Sequence, residues 1–303
     1  MTNVARLPGI ERDVPLAPFT TFKVGGPADW FLRTERSSEV KAAVAAARAD
    51  GIPVTILGGG SNVLVADAGI RGLVIRLHGG DVLAAGDAAI RADAGVTING
   101  LVRWTINRGV AGLEGWAGTP GTVGGAIHGN AHFKGRLIGE LVDRVELLRP
   151  DGEVAWVAAA DMDFGYDRSR VQQTREIALA VEFHTGRGDP AALRATARES
   201  LAYRKRTQPL SSASAGCIFQ NPDPAVDRVP EGIPASAGAL VDRAGLKGFG
   251  SGGARVSGAH GNFIVNDGSA SAAGIRALIE ECRARVRSRF GVELRDEIVY
   301  LGF

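Results

Sequence analysis

The residues with chemical potential in this chain begin with a thiol. Residues 212–222 read SASAGCIFQNP, and Cys217 is one of only two cysteines in 303 residues. A thiol can serve as nucleophile, metal ligand or proton donor. A nucleophile needs a base, and the five histidines (His78, His128, His132, His184, His260) form no thiol-activating pattern around it. Metal ligation would need a second cysteine at ligand spacing, which is lacking, so no metal is expected. A thiol with an unperturbed pKa of about 8.5 is mostly protonated at neutral pH and can give up that proton. A small buried hydrophobe is the remaining reading. Residue types alone leave these alternatives open.

Glycine supplies the second kind of chemistry. There are 42 glycines, about twice the usual share of roughly 7%. They gather in GGGSN (58–62), GWAGTPGTVGG (115–125), KGFGSGG (247–253) and VSGAHGN (256–262). Gly58, Gly59 and Gly60 offer consecutive amides with little side-chain bulk, and Ser61 and Asn62 add side-chain donors. Such a nest can hold a phosphate or pyrophosphate. It fits neither the Walker A nor the GxGxxG spacing, and a tight turn is the bland alternative. The second loop carries Gly118, Thr119, Pro120, Gly121, Val123, Gly124 and Gly125. Two such loops, well separated in sequence, suit a long dinucleotide such as FAD better than a lone phosphate, unless both are merely structural. Arg204, Lys205 and Arg206 could meet a phosphate, or simply complement the end of a helix. Glu297, in an apolar terminal run, is either at an edge or in a site.

These residues need elements to position them. PVTIL (53–57) reads as a short buried strand leading into the first glycine loop, and VGGPADWFLRT (24–34), LVIRL (73–77), AAIRADAG (88–95) and REIALAVEFHTG (175–186) as further strands. VDRVELLRPDGEVAWV is a hairpin turning at Asp151-Gly152. Helices are predicted after Ser37 or Ser38, ending at Gly51; over 97–109, capped by Thr97; and over 189–206, with Asp189 at the cap and Pro190 at the first helical position. Beyond lie a short helix in SAGALVDRAG, a strand NFIVN, a helix over 271–290 and a final strand. The last helix puts Ile275, Leu278, Ile279, Cys282, Val286 and Phe290 on one face, so Cys282 belongs to the core and Arg283 and Arg287 to solvent. Strands and helices mix without strict alternation, which predicts an α+β fold.

Composition bounds the rest. The length suggests two domains, with the boundary expected after residue 205. A net charge of +2 gives no reason to expect a nucleic-acid partner. No apolar run approaches the roughly 20 residues of a membrane span. The first residues lack the apolar core of a secretion signal, and two cysteines make no disulfide framework, so a reducing cytoplasm is expected. Oligomeric state is left open, with a monomer as the default.

Taken in order, TTFKVGGPADWF, LGGGSNVLVAD, GTPGTVGGAIHGNA, FGYDRSR, RKRTQP, SAGCIFQNP, LVDRAGLKG and VSGAHGNFIVN closely resemble the UDP-N-acetylenolpyruvoylglucosamine reductase family, over nearly the whole chain. The resemblance implies an FAD-binding domain of the vanillyl-alcohol oxidase type over 1–205 (core about 22–186) and a smaller substrate domain over 206–303, in the shorter form of the family. It implies non-covalent FAD, NADPH as reductant, a sugar-nucleotide substrate, and reduction of an enolpyruvyl ether to UDP-N-acetylmuramate for peptidoglycan synthesis. Cys217 falls where the family commonly has a serine proton donor, which makes it the expected donor here. Glu297 matches a catalytic glutamate. The family's arginine lies in a Y-R-x-S pattern, whereas Tyr166-Asp167-Arg168-Ser169 puts Asp167 in its place. Arg168 is the expected replacement and Arg170 the fallback. Asn130 joins the glycine loops as a cofactor residue, and Tyr166, Arg204, Lys205, Asn221, Lys247, His260 and Asn262 are the expected substrate contacts. HGNAH replaces a more usual glycine after Asn-Ala, so His128 and His132 are expected near the flavin. An oxidase of the same fold and a non-catalytic binding protein are the competing readings.

Overall fold

Apolar runs bounded by glycine and proline become the strands of the computed structural model, which describes residues 2–303. Ile70–Leu77 is buried on both faces and pairs in parallel with Val54–Leu57, Val54 opposite Leu73. Runs without polar alternation suit this kind of two-sided burial. The four-stranded sheet is ordered Ile10–Pro15, Pro27–Thr34, Ile70–Leu77, Val54–Leu57. Helix α1, Ser37–Ala49, shares a core with it through Val40, Ala43 and Ala47. Neither predicted serine caps α1: Arg36 is the N-cap and makes no side-chain cap bond.

The chain sorts into two units. Unit 1 comprises the residues up to Arg12, Asp29–Gly59 and Gly72–Tyr203. Its second sheet is antiparallel, ordered Val154–Ala158, Val142–Leu148, Ile177–His184, Ala89–Asp93, Val82–Ala84. The predicted hairpin is present, with Gly152 at φ +97° and the Arg149 amide bonded to the Glu153 carbonyl at 2.8 Å. Helix α2 (Ile98–Asn107) starts at Thr97, whose hydroxyl accepts from the Gly100 amide at 3.0 Å. Helix α3 (Val123–His128) was not foreseen; it begins inside the second glycine motif, capped by Thr122. The four-residue α4 is Val171–Thr174. Helix α5, Pro190–Thr207, begins as predicted, with Asp189 accepting from the Ala192 amide at 2.9 Å.

Unit 2 comprises Asp13–Ala28, Gly60–Arg71 and Arg204–Phe303, so two short segments from early in the chain pack with its last third. The reason is visible in one pairing: Val299–Leu301 runs parallel to Val63–Val65, joining the chain's end to the residues just after the first glycine loop. Helix α6, Ala237–Arg243, is capped by Ser236. Helix α7, Ala272–Phe290, is capped by Ser271 and stopped by Gly291 at φ +69°. Ile275, Leu278, Ile279, Cys282 and Val286 line the core face of α7, as the spacing predicts. Arg283 is a correction: its side chain is 18% exposed and is bound to Glu280, Asp296 and the Leu294 carbonyl. Two acceptors from the segment after the helix, the Leu294 carbonyl and the Asp296 carboxylate, draw it out of solvent. The architecture is α+β.

Candidate active site

In unit 1 the two glycine motifs meet backbone to backbone. A Cβ on Gly59 would lie 2.6 Å from the Gly121 Cα, and one on Gly58 would collide with the Thr122 hydroxyl. The second motif is held from below. The Gly121 carbonyl accepts from the Ile98 amide at 3.0 Å, the Val123 amide donates to Val96, and the Gly124 amide donates to Ala94. Asn99 clamps its tip, accepting from the Gly118 amide at 2.7 Å and donating to the Thr119 carbonyl at 3.2 Å. Pro120, at that tip, is exposed. Thr122 accepts from the Gly125 amide at 3.4 Å. Among the described residues, the amides of Gly58, Gly59 and Ser61 meet no acceptor in the chain. Small residues, open N–H groups and a fixed second loop fit a pyrophosphate-bearing cofactor.

Where the chain passes into unit 2, Gly60 is left-handed at φ +63° and tucks its Cα against the Phe19 carbonyl. Its own carbonyl accepts from the Thr21 amide at 2.9 Å. Asn62, expected on the cofactor, donates to the Glu297 carbonyl at 3.0 Å and accepts from the Val299 amide at 2.9 Å through its own carbonyl. It therefore holds the segment that carries Glu297.

The remaining unit 1 residues divide sharply. Asn130 has no exposed surface; its amide donates to Gly165 at 2.8 Å and accepts from Gly139 at 2.9 Å. It ties loops together. Arg168 pairs with Asp163 at 3.1 Å and is 55% exposed. Arg170 grips Glu176 with two bonds of 2.7 and 3.0 Å, which holds the Glu176 carboxyl below its ordinary range. Tyr166 is exposed and its ring lies 4.8 Å from that of His132. His128 is largely buried, and that burial lowers its pKa.

In unit 2 the thiol segment is pinned on both sides. The Ile218 amide donates to the Asn262 carbonyl at 2.9 Å. The Asn262 side chain, 3% exposed, accepts from the Phe219 amide at 2.9 Å and donates to the Phe219 carbonyl at 2.7 Å. On the other side the Glu297 amide donates to the Ile218 carbonyl at 2.8 Å. Ile218 and Glu297, 79 positions apart in sequence, are thus joined peptide to peptide. Cys217 is half-buried, whereas Cys282 is buried in the core with its thiol pushed up to about 12 by burial.

Arg204, 6% exposed near the end of α5, lies within electrostatic reach of Cys217; burial brings its guanidinium down to about 10, and Cys217 acts in the opposite sense. Its neighbour Lys205 is exposed. The Asn221 side chain accepts from the Ala237 amide at 3.1 Å. His260 accepts from the Asn262 amide at 3.2 Å, and burial, aided by the Lys247 charge, lowers its pKa. Lys247 itself pairs with Asp242 at 2.8 Å.

Thr122 and Asn99 were missed by sequence reasoning. The Thr122–Gly125 capping spacing was the available signal for the first; Asn99 gave none. A cavity of about 190 Å³ in unit 1, lined by Trp116, Phe133, Lys134 and Arg136 among others, contains none of the expected site residues.

Residues 28–158 match the FAD binding domain family, so the cradle belongs to a flavin-nucleotide-binding protein. Residues 208–301 match the family described as UDP-N-acetylenolpyruvoylglucosamine reductase, C-terminal domain. The chain is 38% identical to the UDP-N-acetylenolpyruvoylglucosamine reductase of Heliobacterium modesticaldum over 95% of its own length and 89% of that protein's. It is 40% identical to the Synechococcus sp. (strain JA-3-3Ab) enzyme of that name over 99% and 94%. A crystal structure of UDP-N-acetylenolpyruvylglucosamine reductase from Thermus caldophilus superposes with a TM-score of 0.79 at 34% identity, covering 96% of this chain and 98% of that one. The chain belongs to the UDP-N-acetylenolpyruvoylglucosamine reductase family.

Proposed function

We propose that this protein uses NADPH and bound FAD to reduce the enolpyruvyl ether of UDP-N-acetylglucosamine enolpyruvate, giving UDP-N-acetylmuramate for peptidoglycan synthesis. The observation that supports the reading is the bond from the Glu297 amide to the Ile218 carbonyl, which ties the segment carrying Glu297 to the peptide just after the half-buried Cys217. Gly58, Gly59 and Ser61 hold the cofactor's pyrophosphate through open amides, with the fixed 118–125 loop as the other wall of the cradle. When bound, FAD supplies hydride transfer from NADPH to the substrate.

Cys217 gives its Sγ proton to the carbon beside the substrate carboxylate, so that hydride and proton together saturate the double bond. The sulfur left behind is an anion, and the buried Arg204 guanidinium stabilises it. Glu297 orients the substrate and assists the proton transfer. Asn62 and Asn262 keep the two segments in register. Asn130 fixes the loop after α3. Asn221, His260 and Lys247 border the sugar-nucleotide path, with Lys205 at its exposed edge.

Anaerobic half-reactions test this. NADPH should bleach the flavin, and the enolpyruvyl sugar nucleotide should restore it. An oxidase of the same fold would leave the reduced flavin unchanged by that substrate. Cys217→Ala should slow reoxidation by the substrate at least about 100-fold while leaving reduction by NADPH within about 2-fold. Equal slowing of both halves would remove the thiol from proton transfer. Cys217→Ser should keep substantial activity.

A further inference from the structure

The segment that carries Glu297 has little backbone structure of its own. Between the end of α7 at Phe290 and the strand Val299–Leu301 it forms neither helix nor strand, and Asp296 makes its single bridge, to Phe219. Its burial alternates all the same. Val292, Leu294 and Ile298 are buried, whereas Glu293 and Arg295 are exposed. Asp296 falls on the inward row with the three apolar residues, and Glu297 follows on the other row. A slip of one residue would exchange the rows and carry Glu297 away from its place. Apolar burial is non-directional and holds such a register loosely.

Arg283 supplies direction. It stands on α7 next to the core residue Cys282, and its three nitrogens go to three acceptors. Nε donates to the Leu294 carbonyl at 3.1 Å, Nη2 to the Asp296 carboxylate at 2.5 Å, and Nη1 to Glu280. Its Cζ also lies 5.9 Å from the ring centroid of Phe219, a buried residue two positions after Cys217. One guanidinium therefore meets both sides of the Phe219–Asp296 bridge. A planar fork of donors can do this, and an ammonium group cannot match it. A charged Asp296 on an inward row is costly by itself, and an apolar side chain would bury there more cheaply. Buried ion pairs add little net stability over apolar replacements, and their best-attested use is to select one register.

We propose that Arg283, through Asp296, is the positioning residue that sets Glu297 for proton transfer. It fixes residues 294 and 296, and Glu297 follows by one peptide. The inference rests on the reductase reading, and the test separates the two.

Wild-type flavin, reduced anaerobically by NADPH, is first mixed with the enolpyruvyl sugar nucleotide. No reoxidation overturns the reductase reading, whatever the variants do. Given wild-type turnover, the pair is replaced by an apolar one, Arg283→Met with Asp296→Leu, which leaves no unpaired charge on the inward row. This variant should keep its flavin and be reduced by NADPH within about 2-fold of wild type. Its reoxidation by saturating substrate should fall about 20-fold, with the half-saturating concentration within about 3-fold. Added to Glu297→Gln, the same replacement should cost less than about 2-fold, because it acts through that carboxylate. Reoxidation within about 2-fold of wild type overturns the proposal. So does the full loss repeated on Glu297→Gln, which is what a general loosening of unit 2 would give. Should the double replacement lose its flavin, Arg283→Lys decides, since it keeps the charge and gives up the fork. A loss of about 5-fold in reoxidation alone supports the proposal, and unchanged reoxidation overturns it.

Discussion

The glycine cradle of unit 1 and the thiol segment of unit 2 are built on opposite plans. The cradle exists because side chains are missing: Gly59 allows two loops to touch at their backbones, and amides are left open. The thiol segment exists because side chains are present: Asn262 on one side and Asn62 at the Glu297 carbonyl fix the peptides around Cys217 and Glu297. A pyrophosphate is bound by many equivalent donors, so a bare backbone is enough. A proton donor must stand at one defined point, so its neighbours need specific, buried hydrogen bonds.

Substitution can break this contrast, and the cradle should be the more sensitive half. Gly59→Ala forces a Cβ to within 2.6 Å of backbone that cannot yield, and should cost about 3 kcal/mol and abolish flavin retention, read from visible absorbance and the thermal midpoint. Gly216→Ala is the control: its φ is +80° but nothing lies within 4 Å, so only about 1 kcal/mol of strain is expected and the flavin stays. In unit 2, Asn262→Ala strands the buried peptide groups of Phe219 and should lower stability by about 2 kcal/mol in urea unfolding. It should retain flavin and lose reoxidation by the substrate. Flavin loss there would mean that the two regions are not separate in function.

The Arg170–Glu176 pair sharpens the contrast within unit 1, where side chains serve stability. Arg170 lowers the Glu176 pKa in the folded state below its ordinary value of 4.5. Stability from this pair is therefore full above about pH 4.5 and lost as pH falls through the lower folded value. Glu176→Gln should flatten the acid side of the stability curve by about 1 kcal/mol and leave catalysis alone. The smallest perturbation is chemical. A thiol reagent at pH 8 should label Cys217 in the folded protein and reach Cys282 only on unfolding, since burial lifts the latter to about 12. Equal protection of both in the folded protein would place Cys217 deeper than it stands here.

Much of the fold was legible because local signals agreed with it. Caps at Thr97 and Asp189, the Asp151-Gly152 turn and the apolar stripe of α7 each announce an element. The site was legible less evenly. The glycine motifs pointed to close approach, and the thiol's neighbours matched a known pattern. Yet α3 hid inside a glycine-rich stretch of low helix propensity, stabilised by its Thr122 cap and by buried Val123, Ala126 and Ile127. The Asn62 and Asn130 side chains are bonded to peptide groups of the chain. A polar side chain in a motif does not say which partner it has.

The sequence by itself determined the α+β class, the two glycine loops, the place of Cys282 in the core and the family, because these follow from local periodicity and ordered motifs. Only the tertiary structure decided that Glu297 stands beside Ile218, that Asn62 holds Glu297, and that Asp167 grips His132. Those contacts join residues 35 to 235 positions apart, and hydrogen-bond partners at such separation are chosen by packing of the whole chain.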